Sequence, residues 1–174
     1  MSHTGMQPGA AILPRISDES VCSTLLAQIP PQVAAHSRAV QRLALEMCDA
    51  LAAHGVRLNR SLLSAAALLH DICRTEPNHA FAGAQKLRDL GYPEIADIVA
   101  VHHDWSGEPF DESALLYLAD KYMQGDQRVT LEERFERSRA KCHTEQALCA
   151  HDRRYRLALE AQQQYDLLIG EKQP

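Results

Sequence analysis

Residues 62–74 read LLSAAALLHDICR, and this segment constrains the fold more than any other part of the chain. Small and apolar side chains surround the predicted helix on every side, so we expect it to be buried. It nevertheless carries His70 and Asp71 side by side. Because a buried carboxylate is costly unless it is paired or bound to a metal, other ligand-type groups are expected to reach the same interior.

The remaining sequence predicts an all-α fold. No segment shows the alternation of apolar and polar residues that indicates a half-buried strand. Pro93, Asp111 and the pair Thr130–Glu133 are typical of helix N-termini, the last as a capping box. We expect a loose arm over residues 1–16, one helical domain over 17–140, beginning with a helix that Ser17 caps, and a helical extension over 141–174. The extension is expected to pack on the domain or on a partner subunit.

Charge and composition argue against nucleic acid and membrane as partners. The net charge is −5, and the first 130 residues carry 10 Lys and Arg against 15 Asp and Glu, so general nucleic-acid binding is not expected. No apolar run approaches the roughly 20 residues that span a bilayer, and no signal peptide is predicted. The five cysteines form no CxxC pair, which favours reduced thiols and a cytoplasmic location.

Three further ligand-type residues fall on the apolar faces of other predicted helices. His36 lies between Val33 and Val40 on one such face, and His102 continues the face of the helix that begins at Pro93. Asp120 lies four residues after Leu116 in the segment ESALLYLADKYM. The spacing therefore places five ligand-type residues, on four helices, towards one interior.

Each residue taken alone has a simpler interpretation. A single inward His is more often a hydrogen-bonded core residue, and a single buried Asp more often a cap. Together they match the ligands that zinc, iron and manganese use, and a helical bundle builds metal sites from inward side chains on different helices. The adjacent His–Asp pair can hold a metal at a helix corner or bridge two metals. For His79, which starts a helix after Asn78, the simpler interpretation is a capping role. His103 is expected behind the ligands or exposed.

The ordered set of these residues resembles the HD-domain superfamily of metal-dependent phosphohydrolases. The core of that signature is matched by His36, His70, Asp71 and Asp120, while His79 and His102 resemble the subset that binds two metals. Residues 66–104 and 114–135 are similar to HD domains found near, or fused to, molybdenum-cofactor nucleotidyltransferases. The resemblance covers about residues 30–140 and implies a helical bundle with a buried central metal site.

The resemblance also implies a ligand set and a reaction. One ion would be held by the four residues that match the core of the signature. Asp71, the catalytic carboxylate, would bridge to a second ion completed by His79 and His102. A hydroxide between the ions would attack phosphorus. Iron, manganese and zinc are the expected divalent metals, with nickel and magnesium as further candidates. The substrate would be a nucleotide or another small phosphoester.

Three cations are candidates for contact with a phosphate. Arg74, which stands where this branch commonly has Lys, and Lys121 are expected to assist catalysis and bind substrate, and Arg128 to bind substrate. A solvated or ion-paired surface role is the alternative for Lys121 and Arg128. Trp105 and Tyr122 could stack on a base or pack in the wall, and the loop DWSGEPF is expected at the pocket rim.

Two other functions are also compatible with the sequence. Some HD-fold proteins resemble this chain in their ligands yet use two irons and oxygen, so an oxygenase is one alternative. The other is a non-catalytic module in which the metal is structural or senses a ligand. A homodimer, to which the extension would contribute, is a further expectation. A functional link to a nucleotidyltransferase is another, and that enzyme would be a separate chain because no glycine-rich nucleotidyltransferase loop occurs in this one.

Overall fold

A computed structural model describes residues 19–170, and α-helices make up most of this range, which confirms the predicted all-α class. The expected arm over residues 1–16 and the cap Ser17 lie outside the described residues. The elements, in chain order, are α1 (Glu19–Leu26), α2 (Pro31–Ala53), α3 (Arg60–Leu69), α4 (His79–Asp89), α5 (Pro93–Ala100), α6 (Glu112–Lys121), β1 (Met123–Gln124), β2 (Gln127–Arg128), α7 (Leu131–Arg139) and α8 (Glu145–Leu168).

The helix starts follow the local capping chemistry. Pro93 occupies the first position of α5, where a missing N–H costs nothing. Asp111 accepts hydrogen bonds from the second and third backbone N–H groups of α6, at 2.9 and 3.1 Å. Thr130 and Glu133 form the reciprocal capping box of α7. These three helix starts confirm the sequence predictions.

Helix α3 forms the centre of the bundle and packs against α2, α5 and α6. Its side chains are buried on nearly every face, Leu63, Ala66 and Leu69 completely so. The helix ends at Leu69, although the sequence predicts that it continues to Cys73. Residues 70–75 instead form successive turns, with hydrogen bonds from Ile72 N–H to the Leu69 carbonyl and from Arg74 N–H to the Asp71 carbonyl. The His–Asp pair therefore follows the central helix directly.

A small antiparallel hairpin, β1–β2, interrupts the helical pattern after α6. Each strand has two residues, which is too short for an alternating pattern to show in the sequence. Gly125 lies in the turn between the strands with a φ of 60°, in the left-handed region that glycine adopts at little cost. The hairpin thereby places the Gly125 carbonyl against α2.

Helix α8 packs against α6 and α7. Its buried His151 lies against α7, with Nε2 2.9 Å from the Phe135 carbonyl oxygen. The division into a domain over 17–140 and an extension over 141–174 stays a prediction, and within the described residues α8 joins the same packed body. None of the described helices combines the length and apolar character needed to cross a bilayer.

Candidate metal centre

Ligand-type side chains from five parts of the chain meet around the end of α3. They are His36 on α2, His70 and Asp71 in the turn after α3, His79 at the start of α4, His102 in the turn after α5, and Asp120 on α6. All but His36 and His79 are buried. The structure therefore brings together the six side chains proposed as ligands from the sequence and the resemblance.

The Asp71 carboxylate lies between two groups of donors. Its Oδ2 is 3.9 Å from His36 Nε2 and 3.7 Å from His70 Nε2. Its Oδ1 is 3.2 Å from His79 Nε2 and 3.7 Å from His102 Nε2. The first donor set consists of Asp71 Oδ2, His36, His70 and Asp120. The second donor set consists of Asp71 Oδ1, His79 and His102.

Asp120 completes the first donor set. Its Oδ1 lies 3.1 Å from His36 Nε2 and 3.7 Å from His70 Nε2. Its Oδ2 accepts a hydrogen bond of 2.6 Å from the ammonium of Lys121, so one oxygen is held by the lysine and the other faces the histidines. Burial would raise the pKa of Asp120, but the Lys121 charge and the bond to His36 outweigh it and hold that pKa well below its usual range.

Backbone carbonyls orient three of the imidazoles. His70 Nδ1 lies 2.8 Å from the Ala67 oxygen, and His102 Nδ1 lies 2.7 Å from the Val99 oxygen. His36 Nδ1 lies 2.7 Å from the oxygen of the Gly125 turn. A carbonyl only accepts hydrogen bonds, so each of these Nδ1 atoms carries a proton and Nε2 is the ring nitrogen that faces the donor sets. This is the orientation in which a histidine binds a metal through Nε2.

The two donor sets fit metal ions because three of their buried side-chain atoms lack hydrogen-bond partners among the described residues. His70 Nε2, His102 Nε2 and Asp71 Oδ1 are buried and make no well-formed hydrogen bond to any group in residues 19–170. Ligands on a divalent ion with bonds of about 2.1 Å lie roughly 3.0–3.4 Å apart, close to the observed spacing of donors. The ligand atoms of His36, His70 and Asp71 all lie within 4.8 Å of one another. Nitrogen and carboxylate donors at this spacing suit zinc, iron or manganese.

The pKa shifts of the ligand-type side chains also suit a metal site. Burial lowers the pKa of His70 to about 4, so its ring is neutral near pH 7. Burial alone would also lower the pKa of His36, but the hydrogen bond to Asp120 and the charge of that carboxylate raise it above 6.5 overall. For Asp71, burial opposes ionisation, but the imidazoles of His102 and His79 at Oδ1 lower its pKa. The site thus combines ionised carboxylates with imidazoles.

One histidine near the site was not assigned a role from the sequence. His103 Nε2 lies 2.6 Å from His79 Nε2, and the ligand atoms of Asp71, His79, His102 and His103 all lie within 4.8 Å of one another. The expectation that His103 lies behind the ligands or exposed assumed that the helix continues. Helix α5 ends at Ala100, and the following turn brings the two ring centroids of His102 and His103 within 4.0 Å. The end of α5 therefore places His103 beside the second donor set.

The three candidate substrate cations have different surroundings. Arg74 is half exposed, with Nε 3.4 Å from Asp71 Oδ2 and a terminal nitrogen 3.4 Å from His79 Nδ1. Lys121 is buried, and its ammonium is occupied by Asp120. Arg128 is exposed on β2 and contacts the Tyr122 ring, and no described contact joins it to the ligands. Only Arg74 combines exposure with direct contact to the donors.

The aromatic candidates belong to the walls of the domain. Trp105 is 2% exposed and packs near the Tyr117 ring, with 6.0 Å between the ring centroids. It is therefore not available to stack on a base. Tyr122 is partly buried, and burial raises the pKa of its hydroxyl to about 12.

Comparison with known proteins identifies the family. The family model described as HD domain matches residues 33–124, more than half of the chain. The chain is also similar to an uncharacterized protein of Methanocaldococcus jannaschii, with 32% identity over 120 residues, which is 67% of this chain and 69% of that protein. No solved structure matches the chain. The family match and the buried His and Asp cluster agree: this chain belongs to the HD domain family, a superfamily of metal-dependent phosphohydrolases whose members bind divalent metals.

Proposed function

We propose that this protein is a metal-dependent phosphohydrolase that acts on a nucleotide or another small phosphoester and uses two divalent ions. The observation that carries the proposal is the position of Asp71, whose two oxygens face two separate groups of histidines. A carboxylate in that position could serve as a ligand in both groups, through one oxygen in each. A single structural ion would need only one of the two groups.

The ligand assignment follows from the two donor sets. His36, His70, Asp120 and Asp71 Oδ2 would hold one ion, and Asp71 Oδ1 with His79 and His102 would hold the other. When bound, such ions lower the pKa of water and neutralise charge on a phosphoryl group. Iron, manganese and zinc suit the imidazole and carboxylate donors, with nickel and magnesium as further candidates.

The charge of the donor set suits a phosphate substrate. Asp71 and Asp120 contribute two negative charges, while the ring of His70 is neutral near pH 7. Two divalent ions would therefore leave this site positive in a chain whose net charge is −5. Local positive charge attracts an anionic substrate even where the whole molecule repels it.

Arg74 is the cation best placed to contact the substrate. Its guanidinium lies beside Asp71 and His79, and half of the side chain is open to solvent. A planar guanidinium presents donors in a rigid fork that matches two phosphate oxygens, whereas an ammonium is a point charge without that directional match. Lys121 instead serves as a positioning residue, since its buried ammonium holds Asp120 Oδ2 and lies 3.4 Å from the His102 carbonyl oxygen. Contact of Arg128 with substrate stays a prediction without a supporting contact.

The first experiment measures phosphate release from nucleoside mono-, di- and polyphosphates, cyclic dinucleotides and pyrophosphate, with each candidate metal. We expect turnover with at least one substrate, and we expect Asp71→Ala to abolish both turnover and metal uptake. A fully active Asp71→Ala enzyme would contradict the mechanism. Metal uptake without turnover on any phosphoester would favour the non-catalytic module, and oxygen consumption by the iron form would favour the oxygenase.

A second experiment tests the role of Arg74. Loss of one charge-assisted hydrogen bond costs about 1.5–3 kcal/mol, so Arg74→Met should lower kcat/KM by roughly 10- to 150-fold. Metal content should not change, because Arg74 is not a ligand. Arg60→Met is the matched control, since Arg60 is an exposed arginine paired with Asp49 at the far end of α3. Equal losses in the two variants would contradict a substrate role for Arg74.

The cellular setting is part of the same proposal. None of the five cysteines forms a disulfide within the described residues, which suits the reducing cytoplasm. The resemblance of residues 66–104 and 114–135 to HD domains that accompany molybdenum-cofactor nucleotidyltransferases supports a functional link to such an enzyme as a separate chain. Co-purification with a nucleotidyltransferase and sedimentation of the purified protein would test that link and the proposed homodimer.

A further inference from the structure

Residues 104–110, which we call the 104–110 loop, join the second donor set to helix α6. The loop begins directly after His102 and His103, where α5 has ended and no regular helix fixes the backbone. A hydrogen bond from Asp104 N–H to the Val101 carbonyl closes the turn that carries the two histidines. Asp104 is therefore one of the contacts that fix the turn carrying these rings.

Helix α8 holds Asp104 through a two-bond fork. Arg154 Nε donates to Asp104 Oδ1 at 3.1 Å, and an Arg154 terminal nitrogen donates to Oδ2 at 2.9 Å. A bidentate guanidinium–carboxylate pair fixes direction as well as distance. The backbone of Arg154 is fixed in turn, because the buried Tyr117 hydroxyl of α6 donates to its carbonyl at 2.7 Å. The fork thus ties the turn to a rigid part of the bundle.

Further contacts with α8 follow along the loop. Gln164 donates a hydrogen bond of 3.1 Å to the Gly107 carbonyl. The backbone at Gly107 runs close to α8, since a Cβ added there would lie 3.7 Å from the Leu157 side chain. The rings of Phe110 and Tyr165 lie with centroids 6.5 Å apart. Helix α8 therefore supports the loop at its start, middle and end.

We propose that Arg154 is a positioning residue for the second donor set: through Asp104 it fixes the turn that carries His102 and His103 beside Asp71 Oδ1. This inference rests on the proposed two-ion function and extends it to α8, which lies beyond the matched residues 33–124. The first donor set comes from α2, α6 and the end of α3, and within the described residues no hydrogen bond or ion pair joins its ligands to Asp104 or to the Arg154 guanidinium. Loss of the fork should therefore weaken the second ion and leave the first in place.

The test compares Arg154→Met, which keeps the aliphatic stem, with the wild type and with Arg60→Met. Arg60 makes the same two-bond fork, with Asp49, between α2 and α3. Manganese(II) binding is titrated by electron paramagnetic resonance, which counts free and bound ions. Partners that orient metal ligands change affinity by about 10- to 100-fold when removed, so we expect the weaker of two bound ions to lose at least tenfold in Arg154→Met. Arg60→Met should bind both ions as the wild type does.

Hydrogen–deuterium exchange of the metal-free proteins gives a readout that needs neither metal nor activity. In Arg154→Met, peptides covering residues 101–107 should exchange faster, while those from α2 and α3 stay unchanged. Asp104→Asn, which removes the charge from the other side of the fork, should give the same pattern. Unchanged exchange at 101–107 together with wild-type manganese binding would overturn the inference.

The outcomes separate this inference from the proposed function. If the wild type binds no metal, the two-ion function is wrong. The inferred effect of Arg154 on a second ion is then also wrong, whatever hydrogen–deuterium exchange shows. If the wild type binds two ions but Arg154→Met loses both equally, the fork acts on the whole fold and the inference is wrong. Loss of the weaker ion alone, with local exchange at residues 101–107, supports it.

Discussion

Removal of metal should destabilise the fold by an amount that the structure allows us to estimate. His70 Nε2, His102 Nε2 and Asp71 Oδ1 are buried without a hydrogen-bond partner in the described residues. A buried polar atom left unsatisfied costs about 1–3 kcal/mol. Cations bound at the two donor sets would remove that cost by taking all three atoms as ligands, so the metal-free protein should unfold more easily than the loaded one.

The size of the effect can be estimated in two ways. At the lower limit per atom, the three atoms together amount to about 3 kcal/mol. A ligand present at 100 times its dissociation constant stabilises the native state by about 2.7 kcal/mol, which is similar. For a chain of 174 residues, 1 kcal/mol shifts Tm by about 2–4 °C, so chelation should lower Tm by roughly 6–12 °C.

Differential scanning calorimetry on chelated and manganese-loaded protein measures this shift directly. Asp71→Asn keeps the side-chain volume and removes the bridging charge, so its Tm should hardly respond to manganese. Asp49→Asn is the matched control, because it removes the charge of an exposed carboxylate that pairs with Arg60. Its response to manganese should equal that of the wild type.

Two results would refute this reasoning. A wild-type Tm that moves by less than about 1 °C on chelation and reloading would mean that water already satisfies the three buried atoms. An Asp71→Asn protein that responds to manganese like the wild type would mean that the ion binds elsewhere. In either case the fit between the donor set and a metal would have to be rejected.

Two further predictions concern a backbone turn and a buried thiol. Gly125→Ala should cost about 1–2 kcal/mol because φ is positive there, and it should also weaken metal binding by shifting the carbonyl that orients His36. Gly55→Ala, at φ 85° in similarly open space, should cost about the same in urea unfolding but leave metal affinity unchanged; equal affinities in the two variants would contradict the carbonyl's role. Burial raises the pKa of the Cys48 thiol, so its thiolate fraction is reduced at every pH below that pKa. Iodoacetamide at pH 8 should therefore modify Cys48 far more slowly than the exposed Cys149, and comparable rates by mass spectrometry would contradict this burial.

Much of the fold could be predicted from local chemistry. The caps at Asp111 and at Thr130–Glu133 act within one helical turn, so they can be identified from a few neighbouring residues. The positions of His36 and Asp120 on apolar faces predict inward side chains, and the structure brings the two within 3.1 Å of each other. Helical periodicity is sufficient for such residues because they lie inside regular helices.

The features that the sequence did not predict depend on tertiary contacts at helix ends. Nothing between Leu69 and Cys73 is a helix-breaking residue, yet α3 ends at Leu69. The same applies to α5, whose end at Ala100 turns His103 towards His79. The burial of Lys121 is also a tertiary effect, since a lysine is rarely buried unless a carboxylate such as Asp120 receives its charge.

The electrostatics of the site explain why a His–Asp pair follows a buried apolar helix at all. With its Nδ1 proton on the Ala67 carbonyl and its pKa lowered to about 4, His70 presents a lone pair at Nε2 near pH 7. That lone pair lies 3.7 Å from oxygens of two ionised carboxylates, Asp71 and Asp120. Acceptors facing acceptors repel, and a buried arrangement of this kind is stable only with positive charge among them. On the Oδ2 side of Asp71, the Lys121 ammonium that bonds Asp120 supplies part of that charge, and the same carboxylate raises the pKa of His36, which favours the protonated ring. On the Oδ1 side of Asp71, His102 Nε2 lies 3.7 Å from that oxygen and makes no well-formed hydrogen bond to any described residue, so a site that binds only one ion, through the first donor set, would leave this buried nitrogen without a partner.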